Sequence, residues 1–230
     1  MKSGIGSWTK RQIYALAFVS MLVAVRHVGA QEDDFWKNQH VRTDWVFATL
    51  KESEVKPVLD RTLEDQQHWA GLPENVPNSF RCTRLDLDPP SPAALAAFNE
   101  APATRGPAAD RAYAKAAALG YWRGAARLVN SSLEDEYWEG AVPIVAWLLV
   151  HQVPAGYDKL ADVLEASSGY DGETPDDGTL GMIASLRWRA ALEGDPVAQM
   201  QMADIFVERK KPAIATALRT CASQQNPNLR

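Results

Sequence analysis

From Pro107 onward, apolar residues recur at three- and four-residue spacings, the pattern of helices that each bury one face. The clearest stretch is WRAALEGDPVAQMQMADIF, Trp188–Phe206. Ala190, Ala191 and Gly194 close one predicted helix, and Gly194 suits the left-handed position just past a helix end. Asp195 is a good N-cap, and Pro196 fits the first helical position, where its missing N–H has no partner to lose. Val197, Ala198, Met202, Ala203 and Phe206 then form the apolar stripe of the next helix. Residues 33–69 also read as helical, more loosely, with Trp36, Trp45, Val46, Leu50, Val58, Leu59 and Leu63 at three- to five-residue spacings. Between these parts, GLPENVPNSFRCTRLDLDPPSPAAL (Gly71–Leu95) is rich in Pro, Asn and Ser. It predicts an extended segment with one short strand over Phe80–Leu87. A second Pro/Gly patch, APATRGP (Ala101–Pro107), precedes the helical half. These patches divide the chain into a helical and irregular region, 31–106, and a helix-pair domain, 107–230. Inside that domain Pro143 is expected to kink or start its helix. In SLEDEYWEG (Ser132–Gly140), Ser132 and Asp135 read as a capping pair, with Glu134, Glu136 and Glu139 near a first helical turn.

The helical spelling repeats. KAAALGYWRGAARLV (Lys115–Val129) aligns Ala116, Ala117, Gly120, Gly124 and Leu128 with Ala190, Ala191, Gly194, Ala198 and Met202. A weaker copy lies between, where Leu160-Ala161-Asp162-Val163-Leu164 matches Met202-Ala203-Asp204-Ile205-Phe206 at an offset of 42 residues. Repeats of this length are helix pairs that bury their faces only by stacking. This spelling resembles the SEL-type tetratricopeptide-like repeats. The order of PAGYDKLADVLE, an acidic loop, SLRWRAALEGDPVAQMQMAD and LRTCASQQNPNL is similar to that of a proteobacterial repeat domain. The resemblance covers about Arg111–Arg230. It implies a mostly α fold of stacked antiparallel helix pairs, an α-solenoid, with a less regular N-terminal part. Members of that group are similar to periplasmic immunity proteins encoded beside lipase-type toxins of type VI secretion systems.

The first thirty residues change the picture of location. Lys2, Lys10 and Arg11 lead into the thirteen-residue apolar run Ile13–Val25, and Val28-Gly29-Ala30 follows. A basic head, a short apolar core and small residues at the end predict a secretory signal peptide over 1–30, cut after Ala30. Thirteen apolar residues fall short of the roughly 20 that a spanning helix needs, so no stable membrane span is expected after removal. The chain would then be periplasmic. Without Lys2, Lys10, Arg11 and Arg26 it keeps 20 basic and 29 acidic side chains, a net charge of −9. That surface disfavours nucleic acid and suits a basic protein partner.

Two cysteines, Cys82 and Cys221, either bridge in an oxidising compartment or stay as separate buried thiols; spacing does not decide. No metal site or cofactor is expected. His40, His68 and His151 lack the spacing of a helical metal motif and read as surface or capping residues. No G-x-S-x-G elbow occurs. Asp86 and Asp88 sit at strand alternation and are the residues a hydrolase site would use, but the adjacent prolines favour a turn entry. The loop GYDGETPDDGT (Gly169–Thr179) fails the calcium-loop register, with Pro175 and Met182 where ligands belong. Its Tyr170, Asp171, Glu173, Asp176 and Asp177 are instead candidate partner contacts, set on an insertion between repeats. Trp122 and Trp138 stand at helix starts beside charged residues, as core packing or as exposed anchors, whereas Trp147 lies within an apolar helix and belongs to the core. Together these features predict a non-enzymatic periplasmic binding module, an immunity protein holding a toxin with a basic contact surface. The other readings are an envelope scaffold and, less favoured, a periplasmic hydrolase.

Overall fold

The computed structural model describes residues 30–68, 80–169 and 174–227. The predicted signal peptide, apart from Ala30, lies outside them. The chain divides between Trp36 and Lys37 into two units. Of the first, the described part is the opening of helix α1 (Ala30–Thr43), where the rings of Phe35 and Trp36 meet edge-on at 5.4 Å. Everything below concerns the second.

After α1 come a short 3-10 turn (Val46–Ala48), α2 (Glu52–His68), α3 (Pro92–Asn99), α4 (Pro107–Ala118) and α5 (Trp122–Glu134). They are followed by α6 (Trp138–Val150), α7 (Ala155–Ser168), α8 (Asp177–Leu192), α9 (Pro196–Glu208) and α10 (Pro212–Gln225). Among the described residues no strand forms. From α3 to α10 each helix packs on the next, and α5 also meets α7 as α7 meets α9, which makes a stack. α2 lies along it, against α6 and α8.

The stack is built by one repeated turn. Among the described inter-helix connections with a residue at positive φ, five share this turn, at Gly120, Glu136, Gln152, Gly194 and Lys210, while Gly106 before α4 does not. Residues 120, 136 and 152 lie at sixteen-residue intervals, as do 194 and 210. In every case the next residue returns its N–H to a carbonyl five positions back: Tyr121 to Ala116, Tyr137 to Ser132, Val153 to Leu148, Asp195 to Ala190 and Lys211 to Phe206, all at 2.8–3.0 Å. That closure satisfies carbonyls a helix end would otherwise leave bare, and it aims the next helix back along the last. The predicted boundary at Gly194 holds in detail. Gly194 has φ +99°, the Asp195 side chain accepts from Ala198 N at 2.7 Å, and Pro196 opens α9. Small residues then allow close crossing. A Cβ on Gly124 would stand 2.6 Å from Tyr113 O, so α4 and α5 approach through that position.

Two local expectations need correction, and one open alternative is decided. Ser132 does not cap a helix: it lies within α5, fully buried, and α6 starts at Trp138 after the left-handed Glu136. The apolar stripe Ala125, Leu128, Val129 carries α5 through Ser132, and Asp135 ends that helix instead, paired with Arg42 at 2.7 Å. Of the two places expected for Pro143, the structure takes the one inside its helix, α6, and not the helix start. Residues 80–91 are extended but pair with no strand, because their neighbours are helices. Their backbone is held by side chains: Leu85 N donates to Gln225 Oε1 at 2.7 Å, and Thr83 O accepts from Gln199 and Gln225 Nε2, each at 3.3 Å.

The main core joins α2 and the 3-10 turn to the stack. Val46, Leu50, Val55 and Leu59 pack in one cluster with Leu128, Val145, Leu160 and Leu186. A second cluster gathers Trp188, Met202, Phe206, Ile214 and Leu218 from α8 to α10. Trp147 belongs to the first, 4% exposed, as its place in an apolar helix predicts. No helix among the described residues is long and apolar enough to cross a membrane.

Candidate functional site: two clefts beside an extended strap

The segment 80–91 forms a strap across the last three helices. Its Cys82 is bridged to Cys221 on α10, with Cα atoms 5.5 Å apart. Its Phe80 packs on Trp188 of α8 at 6.1 Å between ring centres. It crosses the α8–α9 turn so closely that a Cβ on Gly194 would meet Leu85 N at 2.7 Å and Arg84 C at 2.8 Å. Gly194 therefore answers two demands, a left-handed backbone and the passage of a second chain segment.

The strap then runs between two clefts, and Leu87, Asp88 and Trp122 line both. The first, about 430 Å³, is bordered by Arg84, Arg123, Gln225, Tyr121 and Pro196. Arg84 and Arg123 form no ion pair among the described residues; the Arg123 guanidinium rests 5.4 Å from the Trp122 ring centre. The second, about 380 Å³, is aromatic, with Trp45, Trp147, Trp122 and His151 in its wall. Trp45 meets Trp147 edge-on at 5.0 Å, and His151 stacks on Trp147 at 4.1 Å. Its base holds Ala117 and Val153, and Asp88 supplies its carboxylate.

A separate cluster of charge runs from the buried Asp158 and Lys159 out to Glu165 at the surface. Lys159 Nζ lies 2.6 Å from Asp162 and 3.2 Å from Asp158, and Arg187 bridges Asp162 at 2.9 Å and Glu165 at 2.6 Å. Asp158 is fully buried. Burial pushes its pKa up to about 7, opposed by the Lys159 ammonium and reinforced by the Asp162 charge. Lys159 is itself held above the usual lysine range: the carboxylates beside it outweigh a large burial effect that acts the other way. Burial likewise raises Asp195, against the pull of its capping N–H groups. A carboxyl near neutrality is a usual general acid or base. Here the carboxyl is enclosed by protein and lines neither cleft. A second buried pair, Arg42 with Asp110 at 2.7 Å, ties α1 to α4, and Asn38 adds a hydrogen bond to Asp110 at 3.0 Å.

The candidate contact residues are placed as follows. Tyr170, Asp171 and Glu173 lie outside the described residues. Asp176 is the N-cap of α8, accepting from Gly178 N at 2.8 Å and Thr179 N at 3.1 Å, and Asp177 is that helix's exposed first residue. Trp122 and Trp138 open α5 and α6, and both are half-buried against the main core. Trp122 is thus core contact and cleft wall at once; Trp138 lines neither cleft. Asp86 and Asp88 are both exposed, and only Asp88 faces the clefts. Trp45, Trp147 and His151 were not legible as site residues, since Trp147 reads as pure core and nothing local links positions 45, 88, 122 and 151. Among the described residues no three potential metal ligands come together.

Compared with family models, curated proteins and solved structures, the chain matches none.

Proposed function

We propose that the chain is an envelope binding module of the immunity type, with its helix pairs forming a SEL-like α-solenoid. It would hold a lipase-type toxin of a type VI secretion system by surface complementarity and block access to the toxin's active site. The repeat spelling and the basic, apolar and small-residue N-terminal pattern support this reading. So does the net charge of −9 beyond Ala30, which would speed encounter with a basic surface. The observation that supports it most is the stack of helices closed by one repeated turn. Stacked repeats of this kind offer an extended surface on which insertions and exposed side chains meet a protein partner. Asp176 and Asp177 stand where α8 begins, at the end of the insertion in the sequence, and Trp122 borders the clefts.

The test is co-expression with a toxin encoded by an adjacent reading frame. The proposal expects survival of the producing cells and co-purification of the two proteins. Cells that die at the same toxin dose with and without this chain would refute neutralisation. Recovery of several envelope proteins and no toxin would replace it with the scaffold reading.

A further inference from the structure

We propose that the aromatic cleft beside Asp88 is a binding site for an organic cation, a quaternary ammonium or a guanidinium group. The inference is independent of the toxin reading and rests on which polar atoms the cleft has left to offer. Trp45 Nε1 donates to Arg42 O at 2.6 Å, and Trp147 Nε1 donates to Thr49 Oγ1 at 3.2 Å. The Thr49 hydroxyl in turn donates to Val46 O at 3.3 Å. The N–H edges of Trp45 and Trp147 are therefore committed inside the protein. Trp147 lies behind the cleft wall, 4% exposed with His151 stacked on it, so the ring surface open to the cleft belongs to the half-buried Trp45 and Trp122 and the exposed His151.

The rings are contiguous, with Trp45 edge-on to Trp147 at 5.0 Å and His151 stacked on Trp147 at 4.1 Å. His151 Nδ1 lies 2.8 Å from Trp147 O, which fixes the orientation of the His151 ring beside the indole. Trp122 lines the same cleft, and its ring already has the Arg123 guanidinium 5.4 Å from its centre. Aromatic faces attract cations through the ring quadrupole, most strongly when water is displaced. Asp88 is the cleft's only carboxylate, and it has no hydrogen-bond or ion-pair partner among the described residues. Its charge sets the sign of the ligand. The neighbouring cleft shares Asp88 and Trp122 but adds Arg84 and Arg123, so of the two clefts the aromatic one suits a cation better. A volume near 380 Å³ is at the small end of ligand pockets, enough for one compact headgroup or one side chain.

The test titrates the purified full chain with tetramethylammonium chloride and, separately, with N-acetyl-arginine amide, each against matched sodium chloride. The readout is the set of indole N–H resonances. Saturable shifts at Trp45 and Trp147 are expected, with a dissociation constant on the order of 0.1–10 mM for so few contacts. Tighter binding of tetramethylammonium would mark the natural ligand as a free quaternary ammonium compound; tighter binding of the arginine amide would mark it as a side chain of another protein. Asp88→Asn should weaken binding about three- to tenfold and Asp88→Lys should abolish it, while Asp86→Asn, exposed and outside the cleft, should leave it unchanged. Shifts that never saturate, equal binding by Asp88→Lys, or tighter binding of acetate or glucose than of either cation would overturn the proposal. Protection from a toxin does not enter these measurements, so either proposal can fail alone.

Discussion

Replacing both Cys82 and Cys221 with serine should lower the melting temperature by about 6–20 °C. The bridge joins residues 139 apart in sequence. In the chain-entropy model, closing a loop of that length removes about 5 kcal/mol of unfolded-state freedom at 25 °C. The strap has other holds: three hydrogen bonds from Gln199 and Gln225, and Phe80 against Trp188. Each such hydrogen bond is worth about 1 kcal/mol net, so the strap should remain docked in the variant. The loss is then dominated by the unfolded chain, about 3–5 kcal/mol. At about 2–4 °C per kcal/mol for a chain of this size, that gives the stated shift. Calorimetry of the parent with and without dithiothreitol, beside the double variant, measures it. Urea titration adds an independent mark: an uncrosslinked unfolded chain exposes more surface, so the m-value should rise. A double variant melting within about 2 °C of the oxidised parent, together with two titratable thiols in the native parent, would refute the reasoning.

Gly194→Ala should cost about 2–4 kcal/mol, measured as a urea midpoint, because an added Cβ meets the strap backbone at 2.7 Å and φ is +99°. Lys210→Gly should do the reverse and stabilise by about 0.5–1 kcal/mol, since Lys210 occupies a left-handed position, φ +58°, that glycine adopts freely. Arg42→Met should cost about 3–5 kcal/mol by stranding the buried Asp110, and adding Asp110→Asn should recover part of it in the same assay. Asp158 gives a pH dependence. Its folded pKa, about 7, lies above its unfolded value of 3.8, so the fold retains that proton longer. The group's stabilising contribution is complete below the unfolded value and is lost as pH rises through 7, with a ceiling of about 4 kcal/mol. Asp158→Asn should therefore be more stable than the parent at pH 8, with the gap narrowing toward pH 4. A variant less stable than the parent at pH 8 in chemical denaturation would show that the Lys159 pair outweighs the cost of burying the Asp158 charge.

Much of the helical half was legible because its determinants are local. Gly194, Asp195 and Pro196 each act on backbone within a few residues, and all three stand where their chemistry requires. The apolar stripes through Leu128, Trp147 and Phe206 likewise predict their own burial. The reading failed where a local signal competed with packing. Ser132 and Asp135 spell a cap, but the stripe ahead of them is buried, so the helix runs on. The left-handed turns at Glu136, Gln152 and Lys210 carry no glycine to announce them; they are imposed by the need to reverse direction every sixteen residues.

The sequence by itself determined a mostly helical chain with repeated turns, an acidic surface beyond Ala30, and two cysteines able to pair. Periodicity, capping and charge are properties of neighbours along the chain. Only the tertiary structure decided that Phe80–Leu87 is a strap rather than a strand, that Cys82 meets Cys221, and that Trp45, Asp88, Trp122 and His151 share a cleft. Those contacts join residues tens of positions apart. Their positions follow from how the helices stack, which no spacing within one helix encodes.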